Sequence, residues 1–429
     1  MARPTGRGLG LLAAAAGAYL AARVVGTWEL YLVSLAFVAA LLVAWLLVAA
    51  TAPKLEGART VTPERPTAGD PLAIALRVRN GSLLPGLQLT VPDAAGDLSE
   101  GHGELQVESL GSRAQRVVSA RPQPARRGVH RLPALRARAE DPLGLARADR
   151  RLGEPLELTV YPRLVHLTSC ALWPGMGARP ERGHRGLAVL GASEFRGVRP
   201  HNPGEPLSRI DWKATAKTGS LMLREMDDPT SGDVTLLLDA SSSSVVGAAP
   251  DTNLELAVQA AGSVADLALR AGRGVNLLLP QDEWRQTRLA PGADGRGLLL
   301  DSLARVSPQR TVRLGPSLRT LLANRGRRWR TEIVTLVVLA LDRELVRGVI
   351  ALRREGLQVS LIHVSAASFL PAAPPSSLRD AAGPVAAEAQ GLSLSLAAAG
   401  IPWLTVSRGD DLRSALSLRH TDARHALLR

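Results

Sequence analysis

The segment VTLLLDASSSS, Val234 to Ser244, carries a mostly apolar run into an aspartate and four serines. Asp239, Ser241 and Ser243 follow one another in steps of two, and in an extended loop alternate side chains can face one point. One carboxylate and two hydroxyls are hard oxygen donors. They suit a small divalent ion such as Mg2+ or Mn2+, which keeps several waters and prefers an octahedron. A second apolar run, Ile333 to Leu341, ends at Asp342. Two carboxylates are therefore expected beyond the carboxyl ends of strands, where open α/β sheets bind ligands. The alternative is a serine-rich turn in which Asp239 bonds only its own backbone.

The elements that would hold these residues read as strand and helix in alternation from residue 229 to residue 429. Val234–Leu238 is the first strand. A helix from Asn253 to Leu269 is opened by the capping box of Thr252 and Glu255 and closed near Gly272. VNLLL, IVTLVVLAL, VSLIHV and WLTVS supply further strands, separated by helical stretches. Continuous apolar strands covered by helices on both faces predict a doubly wound, mainly parallel sheet. His363, ending one of these strands, is the one histidine expected to approach Asp239.

Upstream the pattern differs. Residues 53–163 hold short alternating runs such as LAIALRVRN and LELTVYPR, parted by Pro- and Gly-rich turns at intervals of about ten residues. That predicts a small antiparallel, sandwich-like β domain. Residues 164–228 are less regular and read as a linker. Within it stand Asp211, Trp212, Lys213 and Lys217, which hold two of the three lysines among 52 basic residues. A compact ammonium is a distinct requirement in a chain that otherwise uses arginine. These four residues are expected to dock the linker, with Trp212 supplying apolar area and the charges orientation.

Residues 1–52 read as a transmembrane helical hairpin. Leu30–Ala50 has no charge and is long enough to cross a hydrocarbon core of about 30 Å. Leu9–Val25 is a second, Ala-rich span. Arg3 and Arg7 precede the first span, and Lys54, Arg59 and Arg65 follow the second. Positive flanks on both sides place both ends, and the domains beyond, in the cytoplasm at the plasma membrane. A cleaved signal peptide followed by a stop-transfer helix would leave the domains on the same side.

Composition narrows the function. The net charge is +13, but aromatic residues are only 3% of the chain, too few for the stacking that accompanies basic nucleic-acid grooves. Nucleic acid is not expected as a partner, nor is a small-molecule substrate. The single cysteine, Cys170, excludes an intramolecular disulfide framework and disfavours a cysteine zinc site. KTG at Lys217–Gly219 has no S-x-x-K to accompany it, and the G-x-S-x-G, P-loop and H-E-x-x-H patterns are absent. No catalytic residue is assigned and the chain is read as a non-enzymatic binding module. A metal-dependent hydrolase and a metal-free scaffold are the alternatives.

The residues also carry a family resemblance. DxSxS at the end of a first strand resembles the metal-ion-dependent adhesion site of von Willebrand factor A-type domains. EFRGVRPHNPGEPLSRIDWKATAKTGSLMLRE resembles the signature of the bacterial family called domain of unknown function fifty-eight, and RRGVHRLPALRARAEDPLGL and LTVYPR resemble its upstream region. His201 and Glu205 stand where that signature more often has tyrosine and aspartate. The resemblance implies a membrane hairpin, a β-rich region and an A-type domain, in a protein that works with a MoxR-type AAA+ ATPase in assembling or activating other proteins. It implies a metal held by Asp239, Ser241 and Ser243, with Asp342 as the aspartate of the third motif. Thr311, in PQRTVRLG, is the residue available for the second motif, without that motif's usual flanking glycines.

Overall fold

The structure is a computed structural model that describes residues 2–84, 87–92, 98, 105–124, 126–173, 194–200, 210–227, 233–281, 283–310, 312–323, 333–370 and 391–417. The chain divides into two compact units, residues 1–161 and 162–429.

The first unit opens with a two-residue strand, β1 (Arg3–Pro4), and two helices, α1 (Gly6–Val25) and α2 (Trp28–Thr51). Both are long and apolar enough to cross a membrane. Thr5 caps α1 by accepting from the Gly8 N–H, and Gly26 ends it in the left-handed region at φ +75°, where a residue without Cβ turns the chain at least cost. The helices pack as a hairpin. Buried Ser34 donates to the Ala15 carbonyl at 2.8 Å, and Tyr19 meets Tyr31 edge-on with ring centroids 5.6 Å apart.

Among the described residues nine strands follow: β2 (Leu55–Thr62), β3 (Ala73–Asn80), β4 (Leu87–Val91), β5 (Leu105–Leu110), β6 (Gln115–Ala120), β7 (Gly128–Leu132), β8 (Arg136–Glu140), β9 (Ala146–Arg151) and β10 (Leu156–Val160). They form a five-stranded sheet ordered β1-β9-β8-β4-β5, a three-stranded sheet ordered β2-β3-β6, and the pair β10-β7. Alternation decides the faces: Ile74, Leu76 and Val78 of β3 point inward while Arg77 and Arg79 point out. Leu76 and Val78 share one core with Leu87, Leu89, Ala137 and Ala139 of the larger sheet, and with Ala44 and Val48 of α2.

In the second unit, β11 (Glu194–Pro200) and β12 (Met222–Asp227) form an antiparallel hairpin enclosing α3 (Trp212–Thr218). β13 (Val234–Leu238) is the centre of the main sheet, and the small strands β14 (Gly247–Ala248) and β15 (Asp251–Thr252) lead into α4 (Asn253–Arg270). Then come β16 (Val275–Pro280), β17 (Trp284–Leu289), α5 (Ala293–Ala304), α6 (Leu314–Ala323), β18 (Ile333–Val338), α7 (Arg343–Arg354), β19 (Gln358–Val364), a helix α8 over 391–398, β20 (Trp403–Val406) and α9 (Leu412–Ser417). The sheet order is β17-β16-β13-β18-β19-β20, parallel except for the edge strand β17.

All five side chains of β13 are buried, as expected of a strand covered on both faces. Leu236, Leu238, Leu277, Val337 and Ile362 pack with α4 and α5 on one face. Leu237, Leu278, Leu336, Val338 and Leu361 pack with α6 and α7 on the other. The segment read as linker from residue 164 joins the first of these cores. Leu167, Leu172 and Trp173 are buried in it, and the Trp173 indole N–H donates to Thr335 Oγ1 at 2.9 Å. Cys170 lies in the same core, where burial pushes its thiol up to about 11, so it is an inert core residue.

Candidate metal centre

Asp239 is the first residue beyond β13 and is only 7% exposed. Its backbone N–H still donates to the Val337 carbonyl of β18, so the carboxylate is carried on the sheet itself. The Ser241 N–H donates to Oδ1 at 2.9 Å and the Leu339 N–H to Oδ2 at 3.4 Å. Burial pushes the Asp239 carboxyl above the usual carboxylate range. The negative charge of Asp342 adds to the rise, and the two N–H donors oppose it. Asp342 therefore faces Asp239 electrostatically across the sheet edge.

Ser241 is extended, and residues 242–244 turn in a short 3-10 helix. The extended run expected through Ser243 is thus broken after Ser241, yet the two hydroxyls stay together. Ser241 Oγ and Ser243 Oγ are 3.0 Å apart, with Ser241 buried and Ser243 exposed. Two adjacent ligands of an octahedral Mg2+, each at 2.0–2.1 Å, are separated by about 2.9 Å. The spacing of the hydroxyls therefore fits neighbouring positions on such an ion. Among the described residues there is no cluster of three or more His, Cys, Asp or Glu side chains able to hold a metal. Any cation here relies on hydroxyls and water as well as on Asp239 and Asp342.

Asp342 sits differently from its sequence reading. β18 ends at Val338, and Asp342 is the N-cap of α7, where its Oδ1 accepts from the Leu345 N–H at 2.6 Å. The apolar run to Leu341 leaves the sheet after Val338, and the Leu339 N–H turns to the Asp239 carboxylate. The cap fixes one oxygen of Asp342 at the helix start.

Thr311 lies outside the described residues, but the chain on either side of it is placed. Gln309 pairs with Ser241: its N–H donates to the Ala240 carbonyl and its carbonyl accepts from the Ser242 N–H, both at 2.7 Å. Gly315, at the start of α6, stands so close to Asp342 that a Cβ would be 3.3 Å from Oδ1. Gln309 thus lies at the serine loop and Gly315 at Asp342. Sequence reasoning missed Gln309, since a backbone pairing leaves no side-chain signature. It also missed Asn253, fully buried at the start of α4, whose amide accepts from the Val246 N–H at 2.8 Å and donates to the Ser244 carbonyl at 2.7 Å. A buried asparagine directly after a capping threonine was the available signal.

The remaining expected residues lie elsewhere. Asp211 caps α3 by accepting from the Ala214 N–H at 3.0 Å. Lys213 and Lys217 are exposed, and Trp212 is 68% exposed. The expectation that Trp212 supplies buried apolar area is corrected: α3 buries none of its side chains. Its neighbours Ile210 and Leu223, which pair across the hairpin, are buried instead. His363 is the penultimate residue of β19, and burial pushes its imidazole down to about 4, so it is neutral at pH 7.

The comparisons add one family to this geometry. The family described as "Protein of unknown function DUF58" matches residues 197–382. That stretch holds α3 and the three loops around Asp239. An uncharacterized protein of Bacillus subtilis (strain 168), YeaD, is 26% identical over 272 residues, which are 58% of this chain. The chain covers 61% of YeaD, about three fifths of that relative's length.

Proposed function

We propose that this chain is a membrane-anchored interaction module whose domains face the cytoplasm. It binds a partner protein through a divalent cation, Mg2+ or Mn2+, at the edge of a doubly wound sheet of von Willebrand factor A type. The observation that carries this reading is the convergence of three loops around Asp239. The serine loop, the Gln309 segment and the start of α7 meet there, with Asp342 close enough to raise the Asp239 pKa. A buried carboxylate set against a second one is costly without a cation, and a dication balances both charges.

In this reading Ser241 and Ser243 ligate through their hydroxyls, Asp239 and Asp342 act directly or through water, and Thr311 completes the set. The positions left to water can accept an Asp or Glu carboxylate from the partner. The partner is a MoxR-type AAA+ ATPase, and the pair assembles or activates other proteins. The chain itself performs no chemistry. Positive residues on both flanks of the hairpin support a cytoplasmic position for both ends.

The test is a pull-down of such an ATPase by the full chain in detergent, with Mg2+ and with chelator. Wild type should capture it only with the metal, and Asp239→Ala should capture it in neither condition. Capture indifferent to chelator, with calorimetry finding no Mg2+ or Mn2+ binding at millimolar concentrations, overturns the reading. A reporter active only in an oxidising exterior, fused after Arg429, should stay silent.

A further inference from the structure

The turn between β8 and β9 is fastened to the start of α1. Asp141, almost wholly buried, accepts from the N–H groups of Leu143, Leu145 and Ala146 at 2.9, 2.7 and 2.6 Å. The turn is therefore rigid. The Thr5 N–H donates to the Leu145 carbonyl at 2.9 Å and the Thr5 hydroxyl to the Gly144 carbonyl at 2.5 Å. Gly8 lies against the same Leu145 carbonyl, with no room for a Cβ. Leu143, at the tip, is 64% exposed.

Three arginines surround this junction. Arg3 of β1 stands directly opposite Arg147 of β9, and the Arg7 guanidinium reaches over Gly144. All three are exposed, and none has an acidic partner among the described residues. Glu140 lies across from Arg147 on β8 and offsets one charge of the row. Like charges directly opposite on neighbouring strands destabilise a sheet, so this pairing favours an anion. At the foot of α2, Lys54 and Arg150 are exposed and of the same sign.

The helices set the depth of the junction. Trp28 and Trp45 of α2 are both exposed and lie about 25 Å apart along the helix axis, close to a hydrocarbon thickness. Exposed tryptophans at that spacing mark the two interfaces. Ser34 lies against Ala15 and Leu41 against Gly8, so in this antiparallel hairpin Trp45 is level with the residues that lead into α1, which places Arg3, the turn and, within a turn of helix, Arg7 at the headgroups.

We propose that Arg3, Arg7 and Arg147 bind the phosphate of an anionic phospholipid at the foot of α1, while Leu143 enters the acyl boundary beside it. This inference rests on the membrane reading above. The site anchors the β domain to the bilayer surface, fixing its height and rotation over the hairpin. Bound lipid balances the positive charge of the row that Glu140 leaves over.

The experiment has two stages. Cell membranes containing the full chain are first washed with alkaline carbonate; release into the supernatant would remove the membrane reading and this inference with it. The retained protein, in maltoside detergent, is then titrated with phosphatidylglycerol and with phosphatidylcholine and followed by native mass spectrometry. Each basic residue near an anionic surface contributes about fivefold, so wild type should prefer phosphatidylglycerol by at least about tenfold. R3Q/R7Q/R147Q should bind the two lipids equally while melting, without lipid, at the wild-type temperature. If the triple variant fails to fold, Arg147→Gln alone should lower the preference about fivefold. Leu143→Ser should weaken both lipids and keep the preference. Equal binding of both lipids by carbonate-resistant wild type overturns this inference alone. So does equal competition by free glycerol phosphate, which would make the site one for soluble anions.

Discussion

Replacing Asp239 by asparagine separates the cost of the buried carboxylate from its use. In the metal-free protein the carboxyl is buried, faces Asp342 and has a raised pKa. An acid whose folded pKa is raised contributes stability below its unfolded pKa, and that contribution is lost as pH rises through the folded pKa. At pH 7, well above its unfolded pKa, the buried Asp239 carboxyl is therefore a liability to the fold. Asparagine keeps an oxygen for the Ser241 N–H but turns an amide toward the Leu339 N–H, whose 3.4 Å bond is the longer of the two. Losing that bond costs about 1 kcal/mol, against the relief of desolvation and of repulsion by Asp342. Metal-free Asp239→Asn should accordingly melt at or above the wild-type temperature. Adding Mg2+ at a hundred times its dissociation constant should stabilise wild type by about 2.7 kcal/mol. For a unit of this size that is a rise of about 5–10 °C, and the variant should show none. Scanning calorimetry of the full chain in detergent, with and without Mg2+, measures both quantities. A variant that melts well below wild type without metal, or that responds to Mg2+ as wild type does, would refute the reasoning.

Three further outcomes follow from the same structure. His363, held down to about 4, is neutral in the fold but charges near 6.5 when unfolded, so stability should fall as pH drops through that window, by up to about 3 kcal/mol; urea midpoints at several pH values measure this, and His363→Gln should flatten the slope. Trp173→Phe should cost about 1–2 kcal/mol, because it removes the bond to Thr335, which keeps Ser360 at 2.9 Å, and part of the ring volume, whereas Trp173→Ala should cost about 3–5 kcal/mol by emptying the core; denaturant unfolding distinguishes the two. Trp212→Ala should change stability by less than about 0.5 kcal/mol, since its ring is exposed, and a drop in melting temperature beyond that would show that α3 is packed in solution.

Much of this protein is readable from local pattern, because the forces that set its elements act within a few residues. Apolar length alone marks α1 and α2, alternation marks β3, the continuous run of Val234–Leu238 marks a strand covered on both faces, and the capping threonine at position 252 marks the start of α4 within a residue. The steps of two from Asp239 to Ser243 are visible in the chain, and the Ser241 and Ser243 hydroxyls lie 3.0 Å apart. What the tertiary structure decided depends on partners distant in the chain. Asp342 reads as a strand end because Leu339–Leu341 continue an apolar run, yet β18 stops at Val338 and the Leu339 N–H goes to Asp239, a hundred residues earlier. The Gln309 segment reaches the serine loop through backbone hydrogen bonds that any side chain could accompany. Leu167 and Trp173 read as linker because no period announces them, and they are core only because the sheet and α4 supply the apolar surface around them. Trp212 read as an anchor from its chemistry alone, but burial belongs to the surface that meets a side chain, and in this fold Ile210 and Leu223 meet each other instead.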